Sequence, residues 1–170
     1  MEPDLYNLGT LILRIALGVV MFAHGWNHIF GGGKIAGTGR WFASMGMKPG
    51  PLHAWLASLT ELGAAVLLLL GLLTPLGCAG VIGVMVVALL INHLKNGFFI
   101  FRPGEGYEYV AFVILTALAL AALGSGEWSL DEALDYPIEG WAGFWLALGA
   151  GVGGALLLLA VFWRPAKPAE

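Results

Sequence analysis

Charge is scarce in this chain. Asp, Glu, Lys and Arg make up 11% of its 170 residues, against about 25% in soluble domains. With 59% hydrophobic residues, a soluble fold of this size lacks the polar side chains to cover its surface. Disorder and a secreted disulfide scaffold are excluded by the same composition. Cysteine is almost absent: Cys78 stands alone, which excludes an intramolecular disulfide, a CxxC pair and a cysteine zinc site. Eight Lys and Arg against eleven Asp and Glu give a formal net charge of -3, too balanced for a nucleic-acid partner. What remains is apolar, with a mean hydropathy of +0.84. The chain reads as an integral membrane protein, an all-α polytopic helix bundle in contact with the lipid bilayer.

Met1 to Asn7 carries Glu2 and Asp4 and no basic residue. It has neither the basic start nor the cleavage site of a signal peptide, so Leu8 onward is expected to be retained. A spanning helix needs roughly 20 mostly apolar residues. Five segments qualify, at about Leu8–Phe30, Trp55–Leu73, Pro75–Leu94, Tyr107–Leu123 and Trp141–Trp163. Thr74-Pro75 is a tight break, because proline ends one helix and opens the next. The expected organisation is a four-span unit over residues 1–131. An outer loop, a fifth span and a short tail follow over residues 132–170.

The basic residues suggest an orientation. Lys34, Arg40 and Lys48 fall in the first loop, Lys95 and Arg102 in the third, and Arg164 and Lys167 in the tail. With five spans these share one side, and the opposite side receives no Lys or Arg between spans. The positive-inside rule then places the tail in the cytoplasm and the N-terminus outside a cell membrane. Trp26, Trp41, Trp55, Trp141 and Trp163 lie near span ends, as interfacial anchors do. In the long first loop, Arg40-Trp41-Phe42-Ala43-Ser44-Met45 has the mixture expected of a segment lying in the headgroups. Ser129-Leu130-Asp131-Glu132 reads as a capping box opening a short helix.

The most informative residues are those that are costly in a bilayer. An Asp, Arg or Lys at the centre of a spanning helix costs roughly 2.5–3.5 kcal/mol on insertion scales. The polar set here is Arg14, His24, Asn27, His28, Glu61, Asn92 and His93, with Glu108 near a span end. At about 1.5 Å rise per residue, His24 and Glu61 each lie roughly 9 Å below the same end of the bundle. His28, His93 and Glu108 fall nearer that boundary, whereas Arg14 belongs to the other half. Arg14, Met21, His24 and His28 share an arc of about 80°, bordered by Gly18 and Gly25. Ala57, Ser58, Ala64 and Ala65 make a small-residue face around Glu61. The polar stripe therefore lines a packed interior or a cavity.

Polar side chains also act as simple glue between membrane helices, at about 0.6 kcal/mol each on average. That reading suits Asn27 and Asn92. Interfacial solvation is an equal alternative for His28 and His93, and outward snorkelling for Arg14. Glu61 with His24 is harder to justify as glue, being an ionisable pair at matched depth. His24-Gly25-Trp26-Asn27-His28 puts two histidines at i, i+4, but the intervening glutamate of a zinc protease is missing. Haem held between His24 or His28 and His93 is weighed and set aside with the metal. No haem, flavin or metal signature stands out. A quinone headgroup fits better, since it needs only a few donors and acceptors within an apolar aromatic pocket. In the fifth span, Gly149 and Gly153 form a GxxxG, read as close packing in cis or as a homo-oligomer contact.

The order of local motifs resembles a known family. Leu13-Arg14-Ile15-Ala16-Leu17-Gly18, Phe22-Ala23-His24-Gly25 and Glu61-Leu62-Gly63 look like the DoxX family of small bacterial membrane proteins. Leu70-Gly71-Leu72, Asn92-His93, Gly97-Phe98-Phe99 and Gly106-Tyr107-Glu108-Tyr109 continue the series, which closes on Gly124-Ser125-Gly126 and Ser129-Leu130-Asp131. The resemblance runs from about Leu8 to Asp131, and Trp141–Trp163 goes beyond the usual four-helix unit. Some members of that family resemble the membrane subunit of an archaeal thiosulfate:quinone oxidoreductase. Mycobacterial relatives are associated with a membrane complex containing a superoxide dismutase and a thiosulfate sulfurtransferase. The resemblance implies redox or sulfur metabolism at the membrane and supplies no catalytic residue.

The sequence thus leads to a quinone-linked membrane subunit of an oxidoreductase complex, or an anchor for a partner enzyme. Glu61 and His24 are the expected proton-handling groups, and His24, His28, His93 and Glu108 the expected quinone pocket. With no nucleotide fingerprint or thiol pair, electrons are expected from a substrate or protein partner. Two alternatives stand beside it: a non-enzymatic assembly scaffold, and a proton-coupled permease for a small solute.

Overall fold

The computed structural model describes residues 2–165; Lys167, one of the basic tail residues, lies outside them. Helix α1 runs over Pro3–Phe30, with Pro3 and Asp4 in its first turn, where a missing N–H and a negative charge are both favourable. A short helix α2, Lys34–Ser44, fills the middle of the long first loop. Helix α3 spans Gly50–Leu70. It begins at Gly50 rather than Trp55 because Pro51 sits in the first helical turn, where proline is tolerated. Helix α4, Thr74–Ala88, continues through a π-helical segment, Leu89–His93, into one 3-10 turn, Leu94–Asn96. Helices α5 (Glu108–Leu123), α6 (Leu130–Ala133) and α7 (Gly140–Phe162) complete the chain.

Four helices are long and apolar enough to cross a membrane: α1, α3, α4 with its continuation, and α7. Helix α5 is equally apolar but has 16 residues, about 24 Å of helix against a hydrocarbon core of roughly 30 Å. Helices α1, α3, α4 and α5 pack in a ring, and α7 lies outside it against α4 and α5. Met21, Ala65, Leu68, Val81, Ile82, Ala117 and Leu120 fill the centre. Ile12, Ile15, Val19 and Phe22 point outward from α1. This inside-out apolarity is what a bilayer solvent permits.

Small residues set the helix spacings. A Cβ on Gly25 would lie 3.0 Å from the Ser58 carbonyl oxygen, and one on Gly18 would lie 2.8 Å from Leu69 Cγ. Helices α1 and α3 are therefore antiparallel neighbours in close contact. On α7 the packed stripe is Gly143, Ala147, Gly151 and Ala155. A Cβ on Gly151 would come within 2.8 Å of the Ala79 carbonyl oxygen on α4. The Gly149–Gly153 pair faces away, with nothing within 4 Å of either position. The GxxxG thus takes no part in the packing within this chain.

The end of the bundle that carries the N-terminus is latched by side chains. Gly71 closes α3 in the left-handed conformation at φ 62°, and the Arg14 guanidinium packs directly over it. Arg14 is 1% exposed, and its Nη2 donates to the Trp128 carbonyl. It is a buried structural cation and does not snorkel outward. The Asp131 carboxylate accepts from the backbone N–H groups of Leu73 and Thr74, at 2.6 and 3.0 Å, which caps α4. Ser129 accepts from the Glu132 N–H at 3.3 Å, the expected N-cap of α6. Asn7 exchanges two hydrogen bonds with Glu127.

Candidate functional site: a polar-ended cavity at the basic end

At the other end, where Lys34, Arg40, Lys48, Lys95, Arg102 and Arg164 collect, the bundle encloses a cavity of about 500 Å³. That is an ordinary size for a small-molecule site. Every helix except α6 contributes to its wall. Most of the wall is apolar, including Phe42, Met45, Met47, Val84, Met85, Ile91 and Leu158. The polar groups are few and named below.

Glu61, on α3, is 2% exposed and lines the cavity. Its Oε2 lies 3.0 Å from Nδ1 of His28, whose side chain is 15% exposed. Neither of those atoms has an aligned hydrogen bond. The expected pairing of Glu61 with His24 is therefore made by His28 instead. Matched depth misleads here, for a geometric reason. The contacts of Gly18 and Gly25 put residue 24 level with residue 61 across the antiparallel pair. Side chains on a helix lean toward its own N-terminus, so two level residues on antiparallel helices lean apart. Residues each set about half a turn beyond the level point lean together, and His28 with Glu61 meets that condition. His24 sits about 70° from the centre of the buried face of α1; it is exposed and stacks on Tyr109 of α5 at a centroid distance of 6.3 Å.

Helix α2 seats the pair. Thr38 Oγ1 donates to the His28 carbonyl at 2.8 Å, and Phe42 meets the His28 ring edge-on at 6.2 Å. The segment expected to lie in the headgroups is thus a helix folded back over the cavity. Asn92 and His93 reach the wall from the π-helical segment, a distortion that recurs at functional sites. Nδ1 of His93 is 2.9 Å from the Glu105 carbonyl oxygen, so the loop after α4 is tied down beside it. Of the five expected site residues, His24, His28, Glu61 and His93 share this cavity. Glu108 does not line it; its Oε2 accepts from the Ile100 N–H at 3.1 Å and braces the same loop.

Sequence reasoning missed His53. It is 2% exposed, lines the cavity, makes a T-shaped contact with Phe162 at 5.1 Å and has a buried Nε2 with no hydrogen-bond partner among the described residues. The available signal was its position eight residues before Glu61, about 80° around α3, hidden because the span was taken to start at Trp55. Helix α7 closes this end as well. Trp163 Nε1 donates to the Met45 carbonyl at 3.1 Å, and the Arg164 N–H to the Gly46 carbonyl at 2.8 Å. Among the described residues, no group of three or more His, Cys, Asp or Glu is placed to hold a metal ion.

The cavity reaches the outer surface of the bundle between α3 and α7. The exposed residues Leu56, Thr60, Ala150 and Gly154 line it there, over the Gly80 and Gly83 positions of α4. A multi-pass helical membrane protein with a buried carboxylate–imidazole pair in a cavity open at the side of the bundle is the class that fold and site define. The chain belongs to the DoxX family, whose model matches residues 9–94, that is α1 through most of the α4 continuation. A Bacillus subtilis (strain 168) protein described as "Putative oxidoreductase CatD" is 30% identical over 131 residues, covering 74% of this chain and 87% of that protein. No solved structure matches.

Proposed function

We propose that this protein is the membrane subunit of a quinone-linked oxidoreductase, binding the quinone ring in the cavity beside Glu61 and His28. The observation that carries the reading is the pair itself. A buried carboxylate and an imidazole in contact, both short of aligned hydrogen bonds among the described residues, face a mostly apolar cavity. Leaving such groups incompletely partnered is costly, and a ligand oxygen relieves that cost. A quinone, when bound, supplies a two-electron, two-proton acceptor that is already dissolved in the lipid phase. Glu61 and His28 would hold one oxygen and exchange a proton with it. His24 and His93 line the same cavity and would exchange protons between the ring and the basic end. The printed description of the Bacillus relative as an oxidoreductase agrees with this assignment. The electron donor would be a partner enzyme anchored at the basic end, which is taken as cytoplasmic.

The experiment is extraction and chromatography of quinone from protein purified in native lipid discs. Wild type should retain about stoichiometric quinone. Glu61→Gln keeps shape and removes the charge; it should insert normally and lose quinone-dependent turnover. Wild type without bound quinone, together with a fully active Glu61→Gln, would move the scaffold reading ahead. Proton-coupled uptake of a solute by vesicles carrying the protein alone would favour the permease.

A further inference from the structure

The cavity has a second polar end that the Glu61–His28 pair leaves unexplained. His53 lies two turns before Glu61 on α3, roughly 12 Å along the axis. Its side chain is almost wholly buried, and among the described residues its Nε2 reaches no acceptor or donor. Among the described residues its aromatic neighbour is Phe162, in a T-shaped contact at 5.1 Å. Much of the remaining wall is apolar, with Phe42 and Met47 among its residues. The two polar positions thus enter one cavity from points about two turns apart on α3, the arrangement that a ring carrying oxygens on opposite edges calls for.

We propose that His53 is the second anchoring residue of the cavity. In the Nε2–H tautomer it donates to the ligand oxygen opposite the one held by Glu61 and His28. The inference rests on the quinone-binding reading and sharpens it. The ligand class becomes a flat ring with two opposed oxygens, lying lengthwise along α3. A ring with one oxygen would satisfy only the Glu61 end.

The test is calorimetric titration of the full chain in lipid discs with two probes of nearly identical shape. Duroquinone carries two opposed oxygens, and tetramethylphenol presents the same methylated ring with one. Wild type should bind both, duroquinone the more tightly. His53→Leu should weaken duroquinone by about 2- to 12-fold, the worth of one neutral hydrogen bond, and leave tetramethylphenol unchanged. The ratio of the two affinities within one sample is independent of the folded fraction, so partial misfolding does not imitate the result. His53→Gln, which keeps a donor, should recover part of the ratio. An equal loss of both probes would reduce His53 to packing on Phe162 and overturn the proposal. Unchanged duroquinone binding in His53→Leu would overturn it while leaving the quinone reading intact. If wild type binds neither probe, the quinone reading itself fails and His53 falls with it.

Discussion

The choice of His28 over His24 as the partner of Glu61 can be measured as a coupling energy. Two double-mutant cycles decide it, one combining His28→Ala with Glu61→Gln and the other combining His24→Ala with the same Glu61→Gln. The His28 cycle removes a 3.0 Å contact between groups 15% and 2% exposed. Interhelical polar contacts in membranes average about 0.6 kcal/mol and reach about 1.7. A carboxylate–imidazole pair this deeply buried belongs near the upper value, so about 1–2 kcal/mol of coupling is expected. His24 is exposed and stacked on Tyr109, so its cycle should close within about 0.3–0.5 kcal/mol, the scatter of independent sites. Reversible unfolding in mixed micelles, followed by near-UV circular dichroism, reads all the variants on one scale. Coupling above about 1 kcal/mol at His24 with none at His28 would refute the argument from side-chain direction across the antiparallel pair.

The remaining predictions concern other parts of the molecule. Gly71→Ala should destabilise by more than about 1 kcal/mol in the same unfolding assay, because a Cβ at φ 62° also collides with the Arg14 guanidinium. Cys78→Ala, in a fully buried site with no hydrogen-bonding role, should cost about 1 kcal/mol or less and leave quinone binding unchanged; loss of binding would expose a thiol step. Single cysteines on a Cys78→Ser background should be protected from outside reagents at positions 34 and 102 and labelled efficiently at 136, an exposed position of the loop before α7. The reverse pattern would place the basic end, and the cavity with it, outside the cell.

The apolar runs, the Thr74-Pro75 break and the Ser129 cap were legible because each depends on residues adjacent in the chain. So was the gathering of His24, His28, Glu61 and His93 at one end, which needs only depth counting along helices. Three features depend on what faces what, and they escaped. The partner of Glu61 is set by the direction in which side chains lean on antiparallel helices, and depth alone does not give it. His53 lay behind Pro49-Gly50-Pro51, a string that reads as loop although Pro51 is compatible with a first helical turn. On α7 the chain packs through Gly143 and Gly151 while Gly149 and Gly153 stay open; both spacings look alike in sequence, and only the position of α4 separates them. The π-helical turn at Leu89–His93 has no marker in the residues themselves. Glu108 was at the right end but is drawn to the Ile100 N–H of its own loop.

The most direct measurement is an experimental structure of the protein taken from native membrane with its lipids retained. A flat ring should lie between α3, α4 and α7, with one oxygen within hydrogen-bond reach of Glu61 and His28 and the other at His53. A cavity holding only acyl chain or water, with Glu61 and His28 closed onto each other in a fully aligned hydrogen bond, would contradict the account.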